Sequence, residues 1–473
     1  MADKNTVTNP GGPRATARGH AVVLGASIAG TLAARVLADS YQRVTIVERD
    51  VLPEVEQRRG APQGRHLHGL MECGRQIMEE LFPGLTAELG ERGAPMTEVL
   101  VKSRWYLSGL QVHPTPTGLT SLLASRPLLE SVMRARATAL PGVCVRQRLT
   151  AVGLITAPGE ANRVAGVRVV PTGDGSRNDA FDGGAPTDGT NPADARPDRT
   201  EVISADLVVD ATGRGSRAPQ WLTEIGQHQP SQERIDIDLG YSSCTFRRRP
   251  EHLGGDIGVV VSTMPGQRGG GAIALEGDRW HITLGGMLGD HPPTDHEGFR
   301  AFAATLPVPD IHELVTQAEP LGDPVPHRFR GSLRRHYEDL RMPPEGFLAI
   351  GDAVCSFNPL YAQGMTVAAQ QVQALRDCLC SDEPALPRRF YRQAARLIDT
   401  AWQMSSNADL NHPGVQGRRT LRIRLVNAYL HRVRIAAHAD PTVARTFMRL
   451  ANLMEPPEAL LRPSMIARVL RHS

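Results

Sequence analysis

Apolar and polar positions follow a regular pattern near the amino end of the chain. A short apolar run, Ala21–Leu24, has the character of a buried strand and leads into a glycine-containing turn. Apolar residues then recur at helical spacing as far as Ala38, and a second strand-like run, Val44–Val47, follows. This order predicts a strand–helix–strand unit with two parallel strands.

The turn in this unit reads Gly25-Ala26-Ser27-Ile28-Ala29-Gly30. It matches a dinucleotide-binding fingerprint in which Ser27 replaces the middle glycine. Gly25 permits a tight turn, Gly30 allows close packing of helix on strand, and the helix N-terminus offers free N–H groups to a pyrophosphate. Glu48, at the end of the second strand, has the position of a ribose-binding carboxylate. The unit therefore predicts nucleotide binding.

Two other interpretations of this segment remain open on the residues alone. The run Gly25-x-Ser27-x-Ala29 resembles a degenerate nucleophile elbow, which would make Ser27 a hydrolase nucleophile. Residues 21–38 are also apolar enough for a membrane span, but their glycines occupy a turn and strand residues precede them, so we predict no transmembrane segment.

Two later segments also run from a strand into a loop that contains glycine. In the first, the strand Leu207–Val209 ends in Asp210 and a turn follows at Gly213. In the second, a strand ends at Gly351-Asp352, the loop crosses Pro359, and a helix begins near Gly364. A carboxylate in such a position lies beside ligands that bind at the carboxyl ends of parallel strands.

Elsewhere the pattern alternates between helices and strands and then changes character. Helical spacing covers Met71–Leu81, the stretch from Ser125 to Leu140 and Thr366–Leu379, while residues 97–118 and 143–170 have strand patterns. Aromatic and β-branched residues then recur in four segments that predict antiparallel strands of a second, sheet-based domain. These segments are Ile235–Tyr241, Gly258–Thr263, Ala272–Leu275 and Trp280–Leu284.

Composition places the chain among ordinary globular proteins. Its 473 residues suffice for two or three domains, and a net charge of +3 indicates no polyanionic partner such as nucleic acid. The six cysteines form no Cys-x-x-Cys pair, which suits a reducing cytosol, so we expect a cytoplasmic protein. Residues 1–18 lack the apolar core of a signal peptide and are expected to form a disordered tail.

Two basic segments have more than one interpretation. In the loop 58–70, His66 and His68 lie near Glu72 and Cys73, but nothing completes a metal-ligand set, so we predict no metal. His66 could instead donate a proton, make a polar contact beside a substrate or be merely structural. The arginine-rich helical stretch 418–437 could lie on a membrane surface, pack on the protein or form a homodimer contact.

Taken in order, the three glycine turns resemble those of single-component (class A) FAD-dependent monooxygenases of the para-hydroxybenzoate hydroxylase and squalene epoxidase superfamily. The likeness is closest to the polyene epoxidases of polyether-ionophore biosynthesis. It is carried by Arg-x-Gly-x-Pro-Gln-Gly-Arg-His-x-His at 58–68, Asp-Ala-Thr-Gly-Arg-Gly-Ser at 210–216 and Gly-Asp-Ala-Val-Cys-Ser-Phe-Asn-Pro at 351–359. Ser27 and Ala362 depart from this pattern, because glycine is common at both positions.

The resemblance implies an α/β fold. A discontinuous, Rossmann-like FAD-binding domain of the GR2 type would hold an inserted, mainly antiparallel sheet domain for the substrate, followed by C-terminal helices. The predicted FAD-binding segments are 19–80, 119–222 and 325–380, with a mobile insertion at 171–200. The substrate domain takes 81–118 and 223–324, and the helical region takes 381–473.

The resemblance also implies roles for individual residues. His66 is the candidate for a polar contact beside the flavin. The predicted cofactor-binding residues are Gly25, Ser27, Gly30, Glu48, Arg49, Arg58, Arg126, Asp210, Gly213, Asp352, Pro359, Gly364 and Met365.

The implied activity is that of a monooxygenase with an apolar small-molecule substrate, FAD as cofactor, and NADPH or NADH and O₂ as co-substrates. Reduced FAD would react with O₂ at C4a, and the hydroperoxide would pass its distal oxygen to a polyketide or terpenoid alkene in antibiotic biosynthesis. Aromatic hydroxylation, alkene reduction and halogenation are the alternatives. The chain lacks the Trp-x-Trp-x-Ile-Pro stretch of flavin halogenases, and its only lysines are Lys4 and Lys102.

Overall fold

The computed structural model describes residues 18–55, 62–173, 200–263, 266–381 and 383–472. The strands are β1 (Arg18–Leu24), β2 (Tyr41–Val47), β3 (Met96–Glu98), β4 (Ser103–Leu107), β5 (Leu110–Gln111), β6 (Thr120–Leu122), β7 (Val143–Arg146), β8 (Leu149–Ala157), β9 (Glu160–Pro171), β10 (Glu201–Ser204), β11 (Leu207–Asp210), β12 (Ser231–Arg247), β13 (Gly258–Val261), β14 (Arg268–Leu275), β15 (Arg279–Gly286), β16 (Val325–His336), β17 (Phe347–Ala349) and β18 (Cys355–Ser356). The α-helices are α1 (Ile28–Leu37), α2 (Glu72–Leu81), α3 (Leu85–Glu91), α4 (Arg126–Thr138), α5 (Ala218–Glu224), α6 (His296–Ala303), α7 (Asp310–Gln317), α8 (Gly364–Leu379), α9 (Leu386–Asp409), α10 (Leu421–Ala439), α11 (Pro441–Ala451) and α12 (Pro463–His472).

A five-stranded parallel sheet with the order β17-β11-β1-β2-β7 organises the first half of the fold. Its inner strands are apolar and buried, because α1 packs on β1, β2 and β11 and the three-stranded sheet β10-β9-β8 also contacts β11 and β2. Helix α1 packs against β1 and also contacts α4 and α8. The predicted strand–helix–strand unit is therefore confirmed as β1–α1–β2.

The register of this sheet brings the three glycine turns together. Leu24 pairs with Asp210, and Asp210 pairs with Ala349, so β1, β11 and β17 end at the same level. The backbone ladder continues just past the strands, where Ala211 donates to Leu24 and Ile350 donates to Asp210. The turns that begin at Gly25, Ala211 and Gly351 consequently share one edge of the sheet.

An eight-stranded sheet, ordered β18-β16-β12-β15-β14-β13-β4-β5, forms the second layer. Its neighbouring strands are antiparallel except for the parallel pair of β13 and β4. Trp280, Phe246 and Phe299 lie fully or almost fully buried in the core between this sheet and α6 and α7. The four predicted antiparallel strands are confirmed, and the first of them is part of the longer β12.

The C-terminal helices form the third part of the described chain. Helix α9 packs along α8, while α10, α11 and α12 pack on one another around a separate apolar core. The predicted helical pattern of the basic stretch 418–437 is confirmed as α10, and Val433, Ala436 and Ala437 on this helix are buried. Among the described residues, no helix combines the length and the apolar character that a bilayer crossing requires.

Some predictions fall on residues that the structure does not describe. These are the predicted tail, apart from Arg18, most of the proposed insertion at 171–200, and the start of the basic loop. Arg58 belongs to this group and therefore lies outside the described residues.

Candidate functional site

A cleft of about 3040 Å³ opens between the parallel sheet, the eight-stranded sheet and the C-terminal helices. Its lining includes residues 27–29, 211–215 and 356–365, which belong to the three glycine turns or follow them. Ligands of open parallel sheets bind at this position, outside the carboxyl ends of the strands. The topology therefore places the three predicted motifs around one cavity.

The first turn is shaped by two glycines with no room for a side chain. Gly25 has a φ of +100°, and a Cβ there would lie 2.8 Å from the carbonyl oxygen of Ala211. A Cβ on Gly30 would overlap the carbonyl oxygen of Gly25. Glu48 stabilises the same turn, since its Oε2 accepts a 2.8 Å hydrogen bond from the backbone N–H of Ala26. Its predicted contact with a ribose stays a prediction.

Ser27, which replaces the usual glycine, is bonded to side chains from α4. Its Oγ donates to Glu130 Oε1 (2.7 Å) and accepts from Arg126 Nη2 (2.9 Å), while Arg126 Nε also donates to Glu130 (2.8 Å). Ser27 thus forms no cap to its own helix, and the first N–H groups of α1 receive no bond from its side chain. Ser27 therefore connects the first glycine turn to Arg126, which lines the cleft.

The Asp210 side chain stabilises the second turn through hydrogen bonds within it. Its carboxylate is fully buried and accepts hydrogen bonds from the backbone and hydroxyl of Thr212 and from the hydroxyl of Ser216. Burial raises the pKa of Asp210, and these hydrogen bonds oppose that shift. Asp210 does not line the cleft, whereas Ala211, Thr212 and Gly213 do. Asp210 therefore acts through the shape of its turn.

Asp352 has the opposite arrangement. Its side chain lines the cleft, and no other described residue forms a hydrogen bond or ion pair with it. Burial raises its pKa, while the positive charges of Arg126, Arg214 and Arg335 counteract this effect. A carboxylate with free acceptor positions inside a cleft is suited to binding ligand hydroxyl groups.

The third turn leads into the N-terminus of α8, where backbone N–H groups point out of the helix. Ala362 has a φ of +53°, a conformation that glycine adopts more easily, which explains why glycine is common there in the resembling family. Pro359, Gly364 and Met365 line the cleft beside it. Gln363 Oε1 is buried without a partner among the described residues.

Asp409, at the end of α9, holds this loop in place. Its Oδ1 accepts from Asn358 Nδ2 at 2.8 Å and from the hydroxyl of Tyr361 at 2.9 Å. Burial is the main cause that raises the pKa of Asp409 to about 6. The loop around Pro359 is therefore fastened on both sides to the helical region.

His66 lines the cleft where the loop before α2 packs against β12 of the eight-stranded sheet. Its Nδ1 lies 2.9 Å from Ser243 Oγ, and its ring packs edge-on against Tyr241 at 4.7 Å between centroids. Burial, followed by the neighbouring His327, lowers the pKa of His66 to about 2. The ring is uncharged at neutral pH, so a polar contact fits this geometry better than the predicted option of proton donation.

His68 connects His66 to Arg126. Its Nε2 lies 3.1 Å from Arg126 Nη1, and its Nδ1 lies 2.9 Å from the carbonyl oxygen of His66. Because a guanidinium only donates, Nε2 accepts and the proton belongs on Nδ1. Burial and Arg126 lower the pKa of His68 to about 3. Within the described ranges, no group of three or more His, Cys, Asp or Glu is arranged to hold a metal.

The predicted site residues thus divide into those that line the cleft and those that shape it. Ser27, His66, Arg126, Gly213, Asp352, Pro359, Gly364 and Met365 line the cleft. Gly25, Gly30, Glu48 and Asp210 support the turns from behind. Arg49 follows Glu48 and does not line the cleft, so its contact with a cofactor stays a prediction.

Sequence reasoning missed several residues of the site. Glu130, Tyr241, Ser243, His327 and Asp409 all contact predicted site residues or their loops. Only Glu130 had a local signal in the sequence. It lies four residues after Arg126, a spacing that predicts an ion pair on a helix. The others are distant in sequence from their partners and carry no motif.

Comparison with known proteins agrees with this geometry. No family model matches the chain. Protein Rv3254 of Mycobacterium tuberculosis is 34% identical over 469 residues, which cover 96% of this chain and 94% of Rv3254. The chain belongs to the Rv3254 family. The kynurenine 3-monooxygenase of Salinispora tropica is a more distant relative of this chain. The two are 26% identical over 394 residues (81% of this chain, 77% of that protein).

The solved structure of the flavin-dependent brominase Bmp2 superposes with a TM-score of 0.62 at 14% sequence identity, and the match covers 96% of this chain and 100% of that one. Such a low identity shows the fold alone. The predicted fold class is confirmed: this member of the Rv3254 family has the fold of class A flavin monooxygenases, with a Rossmann-like domain.

Proposed function

We propose that the chain is an FAD-dependent monooxygenase that uses NAD(P)H and O₂ to epoxidise or hydroxylate an apolar secondary metabolite such as a polyketide or terpenoid alkene. The observation that carries this proposal is the shared edge of β1, β11 and β17, where three glycine turns meet in one cleft. Kynurenine 3-monooxygenases among the relatives support an oxygenase of this fold.

The residues of the cleft fit FAD. The narrow turn at Gly25 and the free N–H groups of α1 suit a pyrophosphate, and Arg126 adds a positive charge. Asp352 offers unpartnered acceptors to a ribityl chain, while the N-terminus of α8 faces the same cavity. The polar atom of Gln363, buried without a partner, also fits a ligand that carries hydrogen-bonding groups.

Bound FAD would supply the redox chemistry, taking a hydride from NAD(P)H and activating O₂. The protein's own residues would position the substrate and exclude water. Trp105, Leu107, Val260 and Ile273 give the sheet side of the cleft an apolar surface. Uncharged His66 adds a hydrogen-bonding group without a competing charge. This arrangement favours transfer of oxygen to an electron-rich, uncharged carbon atom.

Aromatic hydroxylation is the second candidate, and the kynurenine 3-monooxygenase relatives favour it. Halogenation is less consistent with this chain. Lys102, the only lysine among the described residues, is exposed and does not line the cleft. Alkene reduction would use the same cofactor site and would differ by proceeding without O₂.

Purification and turnover test this proposal. We expect a yellow protein that releases FAD on denaturation and oxidises NADPH or NADH with candidate polyenes. Under ¹⁸O₂, mass spectrometry should find one labelled oxygen atom per product molecule. Product formation under anaerobic conditions would identify a reductase, and a protein that binds no FAD would overturn the proposal.

A further inference from the structure

The part of the cleft bounded by the C-terminal helices contains a cation that has no counter-ion in the part of the chain that the structure describes. Arg434, on α10, is half-buried and lines the cleft. Among the described residues, no carboxylate lies within ion-pairing distance of it, and none accepts a hydrogen bond from its guanidinium. The other partly buried arginines of the cleft have acceptors; Arg126 bonds to Glu130, and Arg334 bonds to Glu338 and Asp399.

Two neutral groups face this guanidinium. Arg434 interacts electrostatically with the phenol group of Tyr361 and with His412. Burial lowers the pKa of both Arg434 and His412. His412 is only 2% exposed, and its Nε2 is buried without a hydrogen-bond partner in the described structure. The nearby carboxylate of Asp409 is bonded through Oδ1 to Asn358 and Tyr361.

An unpaired charge on the wall of the cleft is costly unless a ligand satisfies it. Removing a charge from water is unfavourable when no opposite charge replaces the lost hydration. A planar carboxylate is the matching group, since it accepts two parallel hydrogen bonds from a guanidinium. The pocket therefore favours an organic anion.

The rest of α10 indicates the shape of that ligand. Arg422, Val426, Leu430 and Arg434 occur every four residues, and all four line the cleft, so they form one stripe along the helix. The stripe runs from exposed Arg422 to half-buried Arg434, a distance of about 18 Å along the axis. Its middle is apolar, and Phe447 of α11 also lines the cleft.

We propose that Arg434 binds the carboxylate of the substrate and that the apolar chain of this substrate extends along Leu430 and Val426. The inference rests on the proposed function, because it names the substrate class of the same oxygenase: an amphiphile with a carboxylate and a long apolar chain.

Binding of dodecanoate and of its uncharged analogue dodecanamide, measured by calorimetry on the FAD-loaded protein at neutral pH, tests the proposal. We expect dodecanoate to bind about 10- to 100-fold more tightly, as expected for hydrogen bonds to a charged group. Arg434→Met should remove this preference. Arg432→Met, an exposed arginine two residues away on the same helix, should preserve it.

A second variant keeps the test decisive if Arg434→Met does not fold. Arg434→Lys keeps the charge but loses the bidentate geometry, so it should weaken dodecanoate binding more than dodecanamide binding. Equal affinity of the wild-type protein for the two ligands would overturn the proposal. Loss of NADPH binding, rather than of dodecanoate binding, in Arg434→Met would assign the site to the nicotinamide nucleotide and would also overturn it.

The same preparations separate this inference from the proposed function. The absorption spectrum of each sample reports FAD content independently of calorimetry. Wild-type protein that binds FAD but shows no preference for the carboxylate would contradict only the substrate class. Protein that binds no FAD would contradict the proposed function itself.

Discussion

Asp210 ends β11 and Asp352 follows the neighbouring strand β17, yet their carboxylates have different roles. Asp210 is surrounded by donors from its own turn, namely Thr212 and Ser216. Asp352 has no such donors and faces the cleft. At the scale of single residues, local hydrogen bonding therefore decides which acidic side chain shapes the site and which one is available to a ligand.

His66 provides a test of burial at this scale. Its pKa is about 2 in the folded protein and 6.5 in the unfolded chain, so between these pH values the unfolded chain binds one more proton. Stability is therefore lost as pH falls below 6.5, by about 1.4 kcal/mol per pH unit from this residue alone. We expect His66→Asn, which cannot be protonated, to lose stability less steeply by about this amount between about pH 6 and pH 4.

Urea denaturation at a series of pH values measures this slope. The matched control is His228→Asn, because His228 is exposed to water in the folded protein. The stability of the His228→Asn variant should depend on pH in the same way as the stability of the wild-type protein. Identical slopes for His66→Asn and wild type would show that His66 is accessible to protons in the folded state.

At the scale of elements, the contact of α1 with β1 sets the geometry of the first turn. Gly30 lies where a side chain would overlap the carbonyl oxygen of Gly25. Gly30→Ala should therefore move α1 away from the sheet and cost about 1–3 kcal/mol of stability, as overpacking does. Because the N-terminus of α1 moves with the helix, FAD affinity should fall as well.

Gly215→Ala is the matched control for this substitution. Gly215 lies in the second turn and lines the cleft, but a Cβ there would meet no atom within 4 Å. Flavin fluorescence titration of the two variants should show weakened FAD binding for Gly30→Ala only. Normal FAD binding by Gly30→Ala would mean that the contact of helix and strand does not determine the cofactor site.

At the scale of the whole molecule, the cleft joins parts of the chain that have separate cores. The parallel sheet, the eight-stranded sheet with α6 and α7, and the helices α10–α12 each contribute lining residues. A ligand in the cleft therefore contacts all three parts at once. Its binding energy adds to the stability of the folded state, since the unfolded chain has no such cleft.

We accordingly expect FAD to stabilise the FAD-free protein by about 2.7 kcal/mol at a free concentration one hundred times its Kd. Urea denaturation with and without FAD measures this change. Riboflavin, which lacks the pyrophosphate and adenosine, is the control. At the same free concentration as FAD it should stabilise the protein less, because it cannot bind at the turn that contains Gly25. Equal stabilisation by the two flavins would contradict binding of the pyrophosphate at α1.

The sequence by itself determined the local parts of this protein. The apolar strand Ala21–Leu24, the glycines of the following turn and the helical spacing after it are adjacent in the chain, so pattern and turn chemistry predict them. The same holds for the two later turns and for the strands of the second sheet. The fold class followed because the order of these motifs resembles that of a known superfamily.

Only the tertiary structure decided which residues meet across the cleft. His66 contacts Ser243 across 177 positions of sequence, and Asp409 reaches the loop around Pro359 from another helix. The direction of the Glu48 and Asp210 side chains and the isolation of Arg434 likewise depend on neighbours that packing supplies. The physical reason is that hydrogen bonds and burial act over distances in space, whereas periodicity and turn propensity act along the chain.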